Sequence, residues 1–274
     1  MMGPLPPGVA IGRTRPGTKL DRREFLTLAA ASLATSTRIS PLAPPAGAPR
    51  RLQAVAFDAF TIFDPRPLSG LLETLFPGKG SDLSQTWRAR QFEYQWLRAL
   101  SGRYADFWRI TEDALVFAAA SLGLNLGPDA RSRLIQGYLR LQPWPDVPST
   151  LRSLRDAGIR LAFLSNMTQK MLQAGIDSAR LGDKFEHVLS TDSVRTYKPD
   201  PRAYQLAVDA FRLDRDAILF APSAGWDAAG ARWFGYPTFW VNRLALPAEE
   251  LGAEADAMGR SLQDLERFVL EQER

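Results

Sequence analysis

The stretch Val55-Ala56-Phe57-Asp58-Ala59-Phe60-Thr61-Ile62-Phe63-Asp64 decides how the rest of the chain is read. An apolar run ends abruptly on a carboxylate, and small and aromatic residues follow. Residues 51–57 have the composition of a short buried strand, and central strands of parallel sheets are apolar on both faces. An acidic residue at the carboxyl end of such a strand lies at the rim where open α/β sheets bind their ligands. Asp58 is therefore a candidate nucleophile or ligand. The competing reading is a strand-end Asp that caps the next helix.

The next strand of equal quality comes only at residues 159–164. Between the two the pattern is helical. Leu83, Trp87, Phe92, Trp96 and Leu100 recur at four- to five-residue spacing over residues 81–100, and Ile110, Leu115, Phe117 and Leu122 continue a helical pattern over residues 105–122. Gly102, Gly123 and Gly127-Pro128 punctuate these runs. From Pro148 onward helices (149–157, 169–174, 201–211, 226–234) alternate with strands (187–189, 217–220, 237–241). Such alternation implies right-handed crossovers and a parallel sheet. The expected fold is α/β, a doubly wound Rossmann-like parallel sheet with a helical cap inserted after its first strand. The expected division is a leader and linker over residues 1–50, a core over 51–65 and 147–274, and the cap over 66–146. Beyond Leu244 the tail is polar, with one amphipathic helix expected over residues 262–270.

Composition excludes several chemistries. The chain has no Cys, so disulfides, thiolate nucleophiles and Cys-based metal sites are ruled out. Its one His, His187, sits in what reads as a strand entry, which leaves Ser-His catalysis and His-rich zinc sites without residues. The formal charge of +4 resides in residues 1–48, which hold six cations and two anions. The remainder is neutral and gives no basis for nucleic-acid binding. In that leader, Asp21-Arg22-Arg23-Glu24-Phe25-Leu26 precedes a mildly apolar run and a Pro/Ala-rich spacer to Pro49. It looks like a twin-arginine export signal, and its apolar run is too short to span a bilayer as an ordinary helix. Export to the periplasm is the expected localisation.

Each strand end carries a polar cluster: Ser165-Asn166, then Tyr197-Lys198-Pro199-Asp200, then Pro222-Ser223-Ala224-Gly225-Trp226-Asp227. Singly these are ordinary loops and caps. In this order behind Val-Ala-Phe-Asp58, they resemble the haloacid dehalogenase superfamily, and specifically its L-2-haloacid dehalogenase (type II) branch. The likeness runs from Ala54 to Val241 and includes Phe76-Pro77-Gly78, Trp87-Arg88 and Glu93-Tyr94-Gln95-Trp96-Leu97-Arg98 in the cap.

By that resemblance the fold is the superfamily's capped Rossmann-like core. Asp58 would displace halide from C2 of a 2-haloalkanoate through an ester intermediate, with inversion at C2. Lys198 would hold Asp58 ionised, Asp227 would fix Lys198 and direct the hydrolytic water, and Arg88 would meet the departing halide. Ser165 and Asn166 match the substrate-carboxylate position, with Thr61 and Tyr204 as supporting donors. Phe60, Phe92, Phe107 and Trp226 would wall the carbon–halogen bond, although plain core packing is an equal account of these four. Phosphatases of the superfamily carry a second Asp where this chain has Phe60. Asp58 and Asp227 alone are a meagre set for Mg2+, so neither metal nor cofactor is expected. The implied partners are a small halogenated carboxylate, the twin-arginine export machinery and a second copy of the chain through the cap.

Two departures from the pattern stand out. The Gly that precedes the family's Thr is missing before Thr61, and Pro222 and Ala224 replace a Ser and an Asn. Ser223 is the one nearby side chain able to compensate. The departures keep a second class in view, a noncatalytic or slow small-anion binding protein on the same scaffold.

Overall fold

The computed structural model describes residues 51–271, so the leader reading over residues 1–50 lies outside the described residues. Strand β1, Ala54–Phe57, is buried on both faces. Its alternation divides the core. Ala54 and Ala56 face a cluster with Tyr204, Phe211 and Phe220, whereas Val55 and Phe57 face a larger one with Leu161, Phe163 and Leu219. A two-residue side-chain period on a strand with helices over both faces produces this division.

Strand β2 is the short Phe63–Asp64 and β3 is Gln142–Pro143; β4 is Arg160–Ser165, β5 His187–Ser190 and β6 Ile218–Ala221. The main sheet has the order β5-β4-β1-β6, with β1 parallel to both neighbours and Phe57 in register with Phe163 and Ala221. The chain thus winds outward from β1 through β4 to β5, then returns to the other side of β1 at β6. The reversal between β1 and β6 is a topological switch point, where a crevice opens at the carboxyl ends of the strands. Asp58 and Ser223 lie there. The expected doubly wound α/β fold is the one observed.

Four helices, Arg66–Leu75, Gly80–Leu100, Phe107–Ser121 and Pro128–Gly137, come between β2 and β3. Phe63–Asp64 pairs antiparallel with Gln142–Pro143 where the chain leaves for these helices and returns. The sequence pattern revealed the two long helices and missed Arg66–Leu75, whose buried stripe is only Leu68 and Leu72 on either side of Gly70, and Pro128–Gly137, whose buried residues are Leu134 and Ile135. Local caps fix several starts: Asp106 accepts from Arg109 N, Thr168 from Met171 N and Asp200 from Arg202 N.

The tail departs from expectation. Besides the helix Leu262–Glu271 it contains β8, Ala257–Gly259, parallel to β7, Phe239–Val241. The β8 residues have no strand-like apolar alternation. Backbone pairing holds the segment, with Asn242 N donating to Gly259 O at 2.8 Å, and the Asp256 side-chain carboxylate adds a bond by accepting from Thr238 N at 2.8 Å.

Candidate active site

Asp58 ends β1 and starts a single helical turn, Ala59–Ile62, in which its carboxylate accepts from Phe60 N at 3.0 Å. The capping reading of the opening stretch therefore holds: the strand-end acid is the N-cap of this turn. This turn, which lacks the Gly of the family pattern, is tied down from outside. Trp144 Nε1 donates to Phe60 O at 3.1 Å, Trp144 N to Ile62 O at 3.0 Å and Arg243 Nη2 to Thr61 O at 3.2 Å.

Asp58 is only 8% exposed. Lys198 Nζ donates to its Oδ1 at 2.9 Å, and Ser223 Oγ donates to its Oδ2 at 3.0 Å. Lys198 is itself buried. Its ammonium also donates to Asp227 Oδ2 at 2.6 Å and to Leu164 O at 3.3 Å, which uses its three hydrogens. Asp227 Oδ1 accepts from Tyr204 Oη at 2.7 Å. A buried cation thus joins two carboxylates, and a phenol supports the second.

Burial disfavours the Lys198 ammonium, but attraction to Asp227 and Asp58 outweighs it and raises the pKa above its ordinary value. Burial pushes the Asp227 carboxyl up to about 6; Lys198 opposes the rise and Asp58 adds to it. Burial followed by the Asp227 charge raises Tyr204 well above 10, so its hydroxyl remains a donor.

The helix Gly80–Leu100 brings Arg88, Phe92 and Gln95 to the same place, since positions i, i+4 and i+7 share a helix face. Asp58, Phe60, Arg88, Phe92, Phe107, Ser165, Asn166, Lys198, Trp226 and Asp227 surround one cavity of about 20 Å3. Phe92 and Trp226 meet edge to face at 5.5 Å, and Trp96 packs on Trp226 at 5.6 Å. Trp96 Nε1 donates to Lys198 O at 3.2 Å, which ties this aromatic group to the lysine backbone. Arg88 is largely exposed, with its guanidinium 5.8 Å from the Phe92 ring centre. A larger cavity of about 190 Å3 shares Phe60, Arg88 and Phe92 with the first.

Two expected donors are placed elsewhere. Thr61 Oγ1 donates to Ala221 O at 2.8 Å, and Tyr204 is directed at Asp227; neither lines the cavity. Asn166 does line it, but Gln95 Oε1 accepts from its Nδ2 at 2.8 Å, and its Oδ1 accepts from Lys198 N at 3.0 Å. Ser165 Oγ accepts from Met167 N at 3.1 Å. Gln95 was not among the expected site residues. Its helical spacing from Arg88 and Phe92 is the signal that would have found it.

A strand-end carboxylate at the switch point, braced by a buried lysine, is an arrangement able to support hydrolysis through an alkyl or phosphoryl aspartate. A family model for haloacid dehalogenase-like hydrolases matches residues 52–235, and the chain belongs to that family. It is similar to the (S)-2-haloacid dehalogenase of Pseudomonas sp. strain YL, 47% identical over 206 residues, which are 75% of this chain and 89% of the relative. Haloacetate dehalogenase H-2 of Moraxella sp. strain B is 40% identical over 208 residues, 76% of this chain and 93% of the relative. Among solved structures, that of an L-2-haloacid dehalogenase superposes with a TM-score of 0.80 at 44% identity, covering 81% of this chain and 100% of that one. The Xanthobacter autotrophicus L-2-haloacid dehalogenase with chloropropionic acid covalently bound gives 0.74 at 35% identity, over 80% of this chain and 98% of that one.

Proposed function

We propose that the chain hydrolyses (S)-2-haloalkanoates to 2-hydroxyalkanoates with inversion at C2. The Asp58 carboxylate attacks C2 opposite the halogen, and the carbon–oxygen bond forms as halide departs with the bonding pair. A held carboxylate suits this step because water is a poor nucleophile at an alkyl halide. Lys198 holds the Asp58 carboxylate in place through its bond to Oδ1. Arg88 places positive charge beside the cavity for the departing halide, and Phe60, Phe92, Phe107 and Trp226 keep water from the carbon–halogen bond. The substrate carboxylate is assigned to Ser165 and Asn166. Water then attacks the ester carbonyl carbon and gives its proton to Asp227, whose elevated pKa makes it a base near neutral pH.

The observation that carries this reading is the buried Asp58–Lys198–Asp227 array with an aromatic residue, Phe60, two positions after the nucleophile. Relatives named (S)-2-haloacid dehalogenase, and one with chloropropionic acid covalently bound, support it. Chloride release from racemic 2-chloropropionate, with and without chelator, is the test, run beside phosphate release from p-nitrophenyl phosphate. Chelator-insensitive consumption of the S enantiomer is expected; phosphate release without halide release would overturn the reading. Ala224, which lines the cavity without a polar side-chain atom, favours a second reading in which alkylation proceeds and ester hydrolysis stalls. One halide released per chain, with no further turnover, would support that alternative.

For the leader the proposal is folded export to the periplasm by the twin-arginine route, supported by Arg22-Arg23 ahead of the apolar run. Replacing both with Lys should retain the chain in the cytoplasm on fractionation; unchanged export refutes it. Homodimerisation remains a proposal from family likeness, read by sedimentation equilibrium.

A further inference from the structure

The two oxygens of the Asp58 carboxylate differ in their partners. Oδ2 accepts from Phe60 N and from Ser223 Oγ, both at 3.0 Å, which occupies its two lone-pair directions. Oδ1 accepts from Lys198 Nζ at 2.9 Å, and among the described residues no second donor reaches it. One oxygen is saturated by protein donors and the other keeps a lone pair free for attack. The Ser223 hydroxyl is well placed to hold its position. Ser223 O accepts from Trp240 Nε1 at 3.2 Å and the preceding Pro222 O accepts from Val241 N at 3.0 Å, so the β6 loop is fastened to β7 on both sides of this residue.

Resting on the dehalogenase reading above, the geometry points to Ser223 as a catalytic residue of ester hydrolysis: with Phe60 N it forms the oxyanion hole of the second half-reaction. In the first step Oδ1 bonds to C2 and halide leaves. Oδ2 becomes the ester carbonyl oxygen, already between two donors. When water bonds to Cγ and passes a proton to Asp227, the carbonyl π pair moves onto Oδ2, where the Phe60 N–H and Ser223 O–H meet the new charge. The pair then returns, the Cγ–Oδ1 bond breaks, and the 2-hydroxyalkanoate leaves with Oδ1 after taking a proton. Asp58 is regenerated with the water oxygen. The sum is haloalkanoate plus water to hydroxyalkanoate, halide and a proton.

Donors aimed at the position of a developing oxyanion are among the larger single contributions to catalysis. The Phe60 donor is a helix-cap bond of the Asp58 turn, so the same hydrogen bond serves the fold and the chemistry. Ser223 thereby supplies, one position on from Pro222, a hydroxyl that Pro222 cannot. Ala224 needs no polar group for this part of the reaction.

The test is rapid-quench halide release from (S)-2-chloropropionate by the parent chain, Ser223→Ala and Ser223→Thr, with intact-mass measurement of the quenched protein. Ser223→Ala should keep a burst near one halide per chain, lose about 100- to 1,000-fold in steady-state turnover, and accumulate the ester on Asp58. Ser223→Thr, which retains the hydroxyl, should turn over within about 10-fold of the parent. The burst counts folded, competent sites. Equal turnover by Ser223→Ala, or a slowed burst without accumulated ester in either variant, overturns the assignment while leaving the dehalogenase reading in place. A parent that releases no halide and gains no mass overturns both.

Discussion

Replacing Lys198 with Met removes the ammonium that Asp58 and Asp227 share. At effective dielectric constants near 20, each contact is an attraction on the order of 6 kcal/mol, given the 2.9 and 2.6 Å separations. Removing three ions from water offsets most of that, and losing one partner of a buried pair typically costs about 3–5 kcal/mol net. The isosteric methionine fills the space, so the loss is electrostatic and should depend on pH. Asp227 already sits at about 6 in the folded chain against an ordinary 3.8. Without Lys198 that folded value climbs further. A carboxyl whose folded pKa exceeds its unfolded one contributes stability that is present at low pH and lost as pH rises through the folded value. Urea unfolding should therefore show Lys198→Met weaker than the parent by about 3–5 kcal/mol at pH 8, with the gap narrowing toward pH 5. Adding Asp227→Asn should recover part of the stability and none of the halide release. A deficit below about 1 kcal/mol at pH 8, or one that widens as pH falls, would refute the reasoning.

The kcat–pH profile should fall on its acidic side below the free-chain value of about 6, because Asp227 must be ionised to take the proton from water and esterified Asp58 no longer adds its charge; a rate with no acidic limb down to pH 4 would remove Asp227 as the base. Tyr204→Phe deletes the 2.7 Å bond to Asp227 Oδ1. It should cost about 1–3 kcal/mol and move that limb upward, since a donor to the ionised form lowers its pKa; an unmoved limb contradicts this. At Gly230 an added Cβ would lie 2.5 Å from Tyr204 Oη and 2.6 Å from Pro199 Cβ. Gly230→Ala should lower Tm, with overpacking of about 1–3 kcal/mol, and an unchanged melting curve would show that this contact yields freely.

Much of the fold was legible because its signals are local. The apolar run into Asp58, the helical spacing through Trp87, Arg88 and Phe92, and the alternation after Pro148 each follow from periods of two or 3.6 residues. Elements without such a period were missed. β8 has no apolar alternation and depends on backbone bonds to the β7 region, while the pairing of Phe63–Asp64 with Gln142–Pro143 joins segments separated by the four helices.

The site divides the same way. The sequence by itself determined the residue types and their order: a carboxylate at the end of the first strand, a lysine and a second carboxylate after later strands, and Phe60 in place of a second acid. Only tertiary structure decided which atoms meet. Sheet register brings Ser223, 165 positions away, to Asp58 Oδ2, and packing turns Thr61 toward Ala221 and Tyr204 toward Asp227. Strand propensity and helical spacing act over a few residues, whereas the donors around one carboxylate come from the order in which parallel strands are laid side by side.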